Sequence, residues 1–163
     1  MVYLVSLAIL IVTIVVFFAV ARGRYAQFGL VQTLLRVLVA LPLLISAVAL
    51  HFLGRNQCTA MIPPAVPSPI FLVLLTGVLE ILGAIGLFLP RLRRSAALWI
   101  AILMVAIFPA NIYVAGETFF GMQMPSVPVR LVMQMIYIWM VLLAGYGLPS
   151  RRKSVLDQSP RPL

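Results

Sequence analysis

The sequence predicts an all-α, polytopic transmembrane helix bundle, a four-helix core with an additional N-terminal transmembrane helix. Three observations carry that expectation. The 163 residues are 64% hydrophobic and 9% charged, whereas roughly a quarter of a soluble domain is charged. The apolar residues fall into five runs, each close to the ~20 residues that cross ~30 Å of hydrocarbon as a helix. The basic residues gather at the ends of those runs.

The first run, 2–21, contains no charge and ends in Ala19-Val20-Ala21, which has the look of a signal-peptidase site. A signal peptide opens with a positive segment, and Met1-Val2-Tyr3 offers only the terminal amine, so the run reads as a retained span. The second run, 30–53, holds Arg36, Pro42 and His51, and Pro42 should bend it. The third, 70–89, holds Glu80; the fourth, 95–115, holds Pro109 and Asn111; the fifth, 128–148, holds Arg130. Residues 1–149 therefore read as one membrane-embedded unit. The polar, basic, proline-containing stretch 150–163 reads as a disordered tail.

Between the second and third runs, Met61 to Pro69 has prolines at 63, 64, 67 and 69 and so cannot be helical. With Phe119, Phe120 and Met122 of the last connector, it should lie at the membrane surface, as a lid or as plain anchors. With five spans, Arg22, Arg24, Arg91, Arg93, Arg94, Arg151, Arg152, Lys153 and Arg161 share one side, against Arg55 and Arg130 on the other. The positive-inside rule then puts the N-terminus outside and the C-terminus inside.

This placement disposes of the first guess that a formal charge of +9 invites. Nucleic-acid binding needs a basic surface on a folded module, and here the charges only flank spans. Cys58 and His51 are the sole cysteine and histidine. No intrachain disulfide, CxxC pair, thiolate zinc cage or bis-histidine haem can be built from them. No metal site is expected, and redox chemistry would need an organic cofactor or a partner.

Function is sought in the polar residues inside the runs, because an ionisable group at bilayer depth is costly and marks a site by default. Glu80 is the foremost, as a candidate proton carrier. Gly77, Glu80 and Ala84 recur at helical spacing beside Thr76 and Gly83, a small-residue face suited to close helix approach. Glu80 is then either neutral, carrying its proton, or ionised and held by Arg36 or His51. For straight helices Arg36 lies roughly 9 Å from Glu80 along the axis, within reach of a structural ion pair. Alternatively Arg36 snorkels to the near interface. Near the other end, Asn111 and Tyr113 join His51 and Arg130 as candidate ligand-binding residues, suited to the carbonyls of a quinone or to a lipid headgroup. The plainer reading of Asn111 is repair of the backbone opened by Pro109.

In order along the chain, Leu35-Arg36, His51-Phe52, Met61-Ile62-Pro63-Pro64, Thr76-Gly77-Val78-Leu79-Glu80-Ile81-Leu82-Gly83, Pro90-Arg91-Leu92-Arg93-Arg94 and Phe108-Pro109-Ala110-Asn111 resemble the DoxX-like family of small bacterial integral membrane proteins. The likeness covers about residues 30–148 and implies the four-helix core, with 2–21 as an addition. It implies the bacterial cytoplasmic (inner) membrane and association with quinone-linked oxidoreductase subunits. Arg36 and Glu80 match the family's recurring charged residues, and His51 and Asn111 match a subgroup.

Three functions follow for weighing. The first is a membrane subunit or partner of a quinone-linked redox assembly. The second is a small transporter or lipid-handling protein, for which no internal repeat is evident. The third is a structural or assembly partner without its own ligand. Membrane lipids are expected partners in each, and the oligomeric state stays open, since small-residue faces serve self-association and internal packing alike.

Overall fold

The computed structural model describes residues 25–26, 29–119 and 121–149. The expected first span (2–21), Phe120 and the tail (150–163) lie outside the described residues. α1 (Gly29–Ser46) continues through a π-helical stretch, Ala47–Leu53, and after the short α2 (Arg55–Ala60) come α3 (Pro69–Gly86), α4 (Arg93–Tyr113) and α5 (Val127–Tyr146). α1 with its π-helical continuation, α3, α4 and α5 are each long and apolar enough to cross a membrane.

Local chemistry sets the helix ends. Pro69 occupies the first turn of α3, where its fixed φ is already helical and its missing N–H would have had no partner. The third span ends at Gly86 and not at the expected Leu89: Pro90 has no N–H to give the Gly86 carbonyl, and the N–H groups of Phe88 and Leu89 turn to the i−3 carbonyls of Ile85 and Gly86. Arg93 then opens α4. α5 ends at Tyr146 and not at Leu148, because Gly147 turns the chain at φ 100°. The stretch 61–68 is non-helical, as its prolines require. Arg55–Ala60, expected as connector, forms one short helix.

In α1, Pro42 leaves the Leu38 carbonyl without its i+4 donor. Further along, the wide turns of Ala47–Leu53 close with the Gly54 N–H donating to the Ala49 carbonyl at 2.9 Å, an i−5 bond. Such stretches are rare and concentrate at functional sites.

The helices run antiparallel, each packed on the next around the ring α1, α3, α4, α5 and back to α1, with α4 and α5 the most extensive pair. Val39, Leu43, Ile100, Phe108, Ile138 and Leu142 fill the centre. Small residues bring backbones close: a Cβ on Gly83 would fall 2.6 Å from Ile100 Cγ1. Outward, the molecule is as apolar as within. Only 22–33% of each span's most apolar window is buried, and Leu38, Leu82, Trp99 and Ile136 stand exposed. Such a surface is stable in lipid, where close packing and interhelical hydrogen bonds hold helices together. The chain is a multi-pass membrane protein.

Two minimal ladders decorate the helical fold. β1 (Tyr25–Ala26) pairs antiparallel with β4 (Leu148–Pro149) at the end where α1 and α4 begin. At the opposite end, β2 (Thr118–Phe119) and β3 (Met122–Gln123) form a hairpin turned by Gly121 at φ 73°. The first of these ends carries Arg91, Arg93 and Arg94 and is called the basic end below.

Candidate functional site

The buried charged and polar residues of the described chain are Gln32, Arg36, His51 and Glu80. The π-helical stretch brings His51 onto α3, where Gly77 makes room: a Cβ there would lie 2.6 Å from the His51 Cβ. His51 Nδ1 sits 2.8 Å from the Val73 carbonyl oxygen. A carbonyl only accepts, so Nδ1 carries a hydrogen and donates it. Thr76 Oγ1 lies 3.0 Å from the same nitrogen and donates its own hydrogen to the carbonyl of Leu72 or Val73, each 2.9 Å away.

With Nδ1 fixed, Nε2 faces Glu80 Oε1 at 3.6 Å. That is ion-pair range but too long for a hydrogen bond. Two proton placements satisfy the site. Glu80 is protonated beside a neutral imidazole, or the carboxylate faces an imidazolium. Both are neutral overall, which is what a site only 3% exposed demands. The Ser46 side chain also reaches the Glu80 carboxyl. Glu80 Oε2 is buried with no partner among the described residues. An unmet buried polar atom costs about 1–3 kcal/mol, and this one lies beside a group able to exchange its proton.

Arg36 does not supply the expected ion pair with Glu80. Its Nε donates to the Ala144 carbonyl at 3.1 Å, beside Gln32, whose Nε2 donates to the carbonyls of Leu143 and Ala144 at 2.6 and 2.7 Å. The cause is axial. Ser46 stands level with Glu80, and Arg36 lies ten residues back along α1, about 15 Å at 1.5 Å per residue. Of the two holders expected for Glu80, His51 is the one that faces it.

Asn111 and Arg130 are brought together, but with each other: Arg130 Nη1 donates to Asn111 Oδ1 at 2.8 Å, and Arg130 Nε to the Pro125 carbonyl at 3.2 Å. They tie α4 to α5. Tyr113 is exposed. Among the described residues, no hydrogen bond or ion pair joins these three to His51, so the expected four-residue cluster separates into two places. Nor do three His, Cys, Asp or Glu side chains come together among the described residues.

Several contributors went unnoticed in the sequence: Gln32, Ser46, Gln134 and Tyr137. Gln134 Nε2 donates to the Met104 carbonyl at 2.8 Å, and the Tyr137 hydroxyl to the Val39 carbonyl at 2.7 Å. Helical spacing was the available signal, since Gln32 precedes Arg36 by four residues and Gln134 follows Arg130 by four. Beyond the spans, Cys58 sits half-buried on α2. Burial, and then the Glu80 charge, push its thiol above the usual range.

Residues 38–144, well over half of the chain, match the model of a family described as a domain of unknown function (DUF8561), and the chain belongs to that family. No curated protein and no solved structure matches it. The matched stretch contains His51, Glu80, Asn111 and Arg130 and leaves out Gln32 and Arg36.

Proposed function

We propose that this DUF8561 protein is the membrane-embedded component of a quinone-linked redox assembly, in which Glu80 and His51 exchange a proton with the bound quinone. The carrying observation is the buried pair of Glu80 on α3 and His51 on the π-helical stretch, with Glu80 Oε2 unpartnered among the described residues. The resemblance to DoxX-like proteins supports the same reading.

The residues fit such a ligand. A quinone carbonyl needs a hydrogen-bond donor in apolar surroundings, and a protonated Glu80 or imidazolium His51 is one. When bound, a quinone would supply two-electron carbonyl reduction, with the electrons from a partner oxidoreductase subunit, one proton through the Glu80–His51 pair and the second from water at the membrane surface. The chain's own part is narrower. Val73 and Thr76 hold the His51 ring, Nδ1 stays protonated on the Val73 carbonyl, and one proton moves between Nε2 and the Glu80 carboxyl. Asn111, Tyr113 and Arg130 are then structural neighbours and not quinone ligands. The reading includes the bacterial cytoplasmic membrane, with the basic end inside.

A second reading has an observation of its own. His51 fastens the π-helical stretch to α3 through Val73, which is what a purely structural or assembly partner would use. One experiment separates them: extraction of the tagged chain into native lipid particles, with mass spectrometry of what is retained. Stoichiometric quinone or an oxidoreductase subunit on the wild type, lost in Glu80→Gln while the variant stays folded, supports the redox reading. Bulk lipid alone, in the amount carried by an unrelated membrane protein, overturns it.

A further inference from the structure

An apolar groove of about 580 Å³ opens between α3 and α4, within the roughly 300–1,000 Å³ range of pockets that take small organic ligands. Its α4 wall runs from Ser95 to Ala106, about 16 Å of helix. Leu82 and Trp99, both exposed, stand along it on the bilayer side.

Helix register sets this groove beside Glu80. Gly83 packs on Ile100 and Gly86 on Ala96, an added Cβ falling 2.6 Å from Ile100 Cγ1 and 2.7 Å from Ala96 Cβ. The two helices are antiparallel, so Glu80, three residues before Gly83, stands level with Leu103, three residues after Ile100. At that height the groove is walled by Leu103 and by Leu79, the neighbour of Glu80. These are side chains, which can rotate.

Direction agrees with height. At 3.6 residues per turn, Gly77 and Gly83 lie about 60° to either side of Glu80 on α3. Gly77 meets His51, and Gly83 meets Ile100 of α4, so Glu80 projects between the two contacts. With Oε1 turned to His51 at 3.6 Å, Oε2 is left on the α4 side, buried and without a partner among the described residues. A polar atom in need of a partner and an apolar slot facing the bilayer thus lie on the two sides of one thin wall. A ligand that satisfies both has a hydrogen-bonding head and a long hydrocarbon tail.

We propose that the α3–α4 groove holds the isoprenoid tail of a quinone that enters sideways from the bilayer, past Leu79 and Leu103, to bring its head to Glu80 Oε2. The inference rests on the quinone reading above and narrows its substrate class to long-tailed, membrane-dissolved quinones.

The test uses the full chain in nanodiscs of dioleoylphosphatidylcholine, with native mass spectrometry reading the fraction of chains that carry quinone. Ubiquinone-2, which has an isoprenoid tail, and ubiquinone-0, the head alone, are the probes. Ser95→Phe and Ala106→Phe fill the groove from exposed positions, and Val132→Phe puts the same ring on an exposed position of α5. Both groove variants should keep the wild-type unfolding midpoint and bind ubiquinone-0 as the wild type does. Their affinity for ubiquinone-2 should fall by roughly tenfold, the worth of about two buried methylenes, and Val132→Phe should show no such loss. If ubiquinone-2 binding is unchanged in the groove variants while Glu80→Gln loses both probes, the redox reading stands and the groove holds only ordinary acyl chains. Equal weakening of both probes in the groove variants also overturns the tail assignment. Absence of both probes from the wild type overturns the redox reading, and this inference with it. Photolabelling of the wild type by a ubiquinone with a diazirine at the end of its tail checks the groove without a variant. Adducts confined to 79–86 and 92–106 support it, and adducts spread over all four spans remove it.

Discussion

Gly77→Ala tests the contact on which the site depends. The new Cβ would lie 2.6 Å from the His51 Cβ, with His51 Cγ and Phe52 Cε2 each at 3.2 Å. Carbon atoms are comfortable at about 3.5–4.0 Å, so α3 and the π-helical stretch must part by ~1 Å. The His51 Cβ is fixed to the backbone and cannot swing aside, and turning Cγ away would itself break the Nδ1–Val73 bond. The His51 Nδ1–Val73 bond, now 2.8 Å, would stretch beyond hydrogen-bonding range. Overpacking costs about 1–3 kcal/mol, and loss of a buried hydrogen bond adds about 1 kcal/mol, so ~2–4 kcal/mol of destabilisation is expected. Equilibrium unfolding in mixed micelles titrated with dodecyl sulfate measures it. Gly29→Ala is the matched control, because an added Cβ there meets nothing within 4 Å. If both variants unfold at the same detergent fraction, His51 does not lie against Gly77, and the geometry of the pair collapses with it.

Further outcomes follow from the other contacts. Asn111→Ala and Arg130→Ala should each destabilise, with a coupling of about 1 kcal/mol in a double-mutant cycle; additive losses would mean the 2.8 Å bond between them is not made. Gln32→Leu removes two donors to backbone carbonyls at 2.6 and 2.7 Å and should cost ~1–3 kcal/mol; an unchanged unfolding midpoint would contradict that. Maleimide labelling of Cys58 follows its thiolate fraction. Its thiol is pushed up by burial and the Glu80 charge, so the rate should rise at higher pH than for a free cysteine. Glu80→Gln should move that profile back toward lower pH, and a profile that stays in place means no carboxylate charge acts on Cys58.

The spans could be read in the sequence because bilayer thickness dictates helix length, and the deviations, at Gly86 and Tyr146, arise where Pro90 and Gly147 override the apolar run. The ionisable residues were equally visible, each being alone in apolar surroundings. Their pairing was legible only in part, since Arg36 and His51 both stood as holders of Glu80 and the sequence did not choose between them. Straight helices place Arg36 near Glu80, and nothing in the composition announces that Ala47–Leu53 winds more widely and carries His51 onto α3. Asn111 and Arg130 were both legible as polar residues near one end, yet contact between two helices depends on their rotation, which a single sequence does not encode simply. Gln32 escaped notice because an amide raises no alarm in a hydropathy profile, although burial makes it as demanding of partners as a charge.

The π-helical stretch fixes the angle at which His51 meets α3. In a regular helix each residue is set about 100° around the axis from the last. A wide turn holds surplus chain, and shifting its place by one residue would rotate everything between the old and new positions by about that angle. His51 lies within the stretch, so such a shift would swing its imidazole off Glu80 while α3, α4 and α5 stay where they are. Contact between the two side chains is thereby tied to helical phase, and a change of phase would alter it without tilt or separation of the spans.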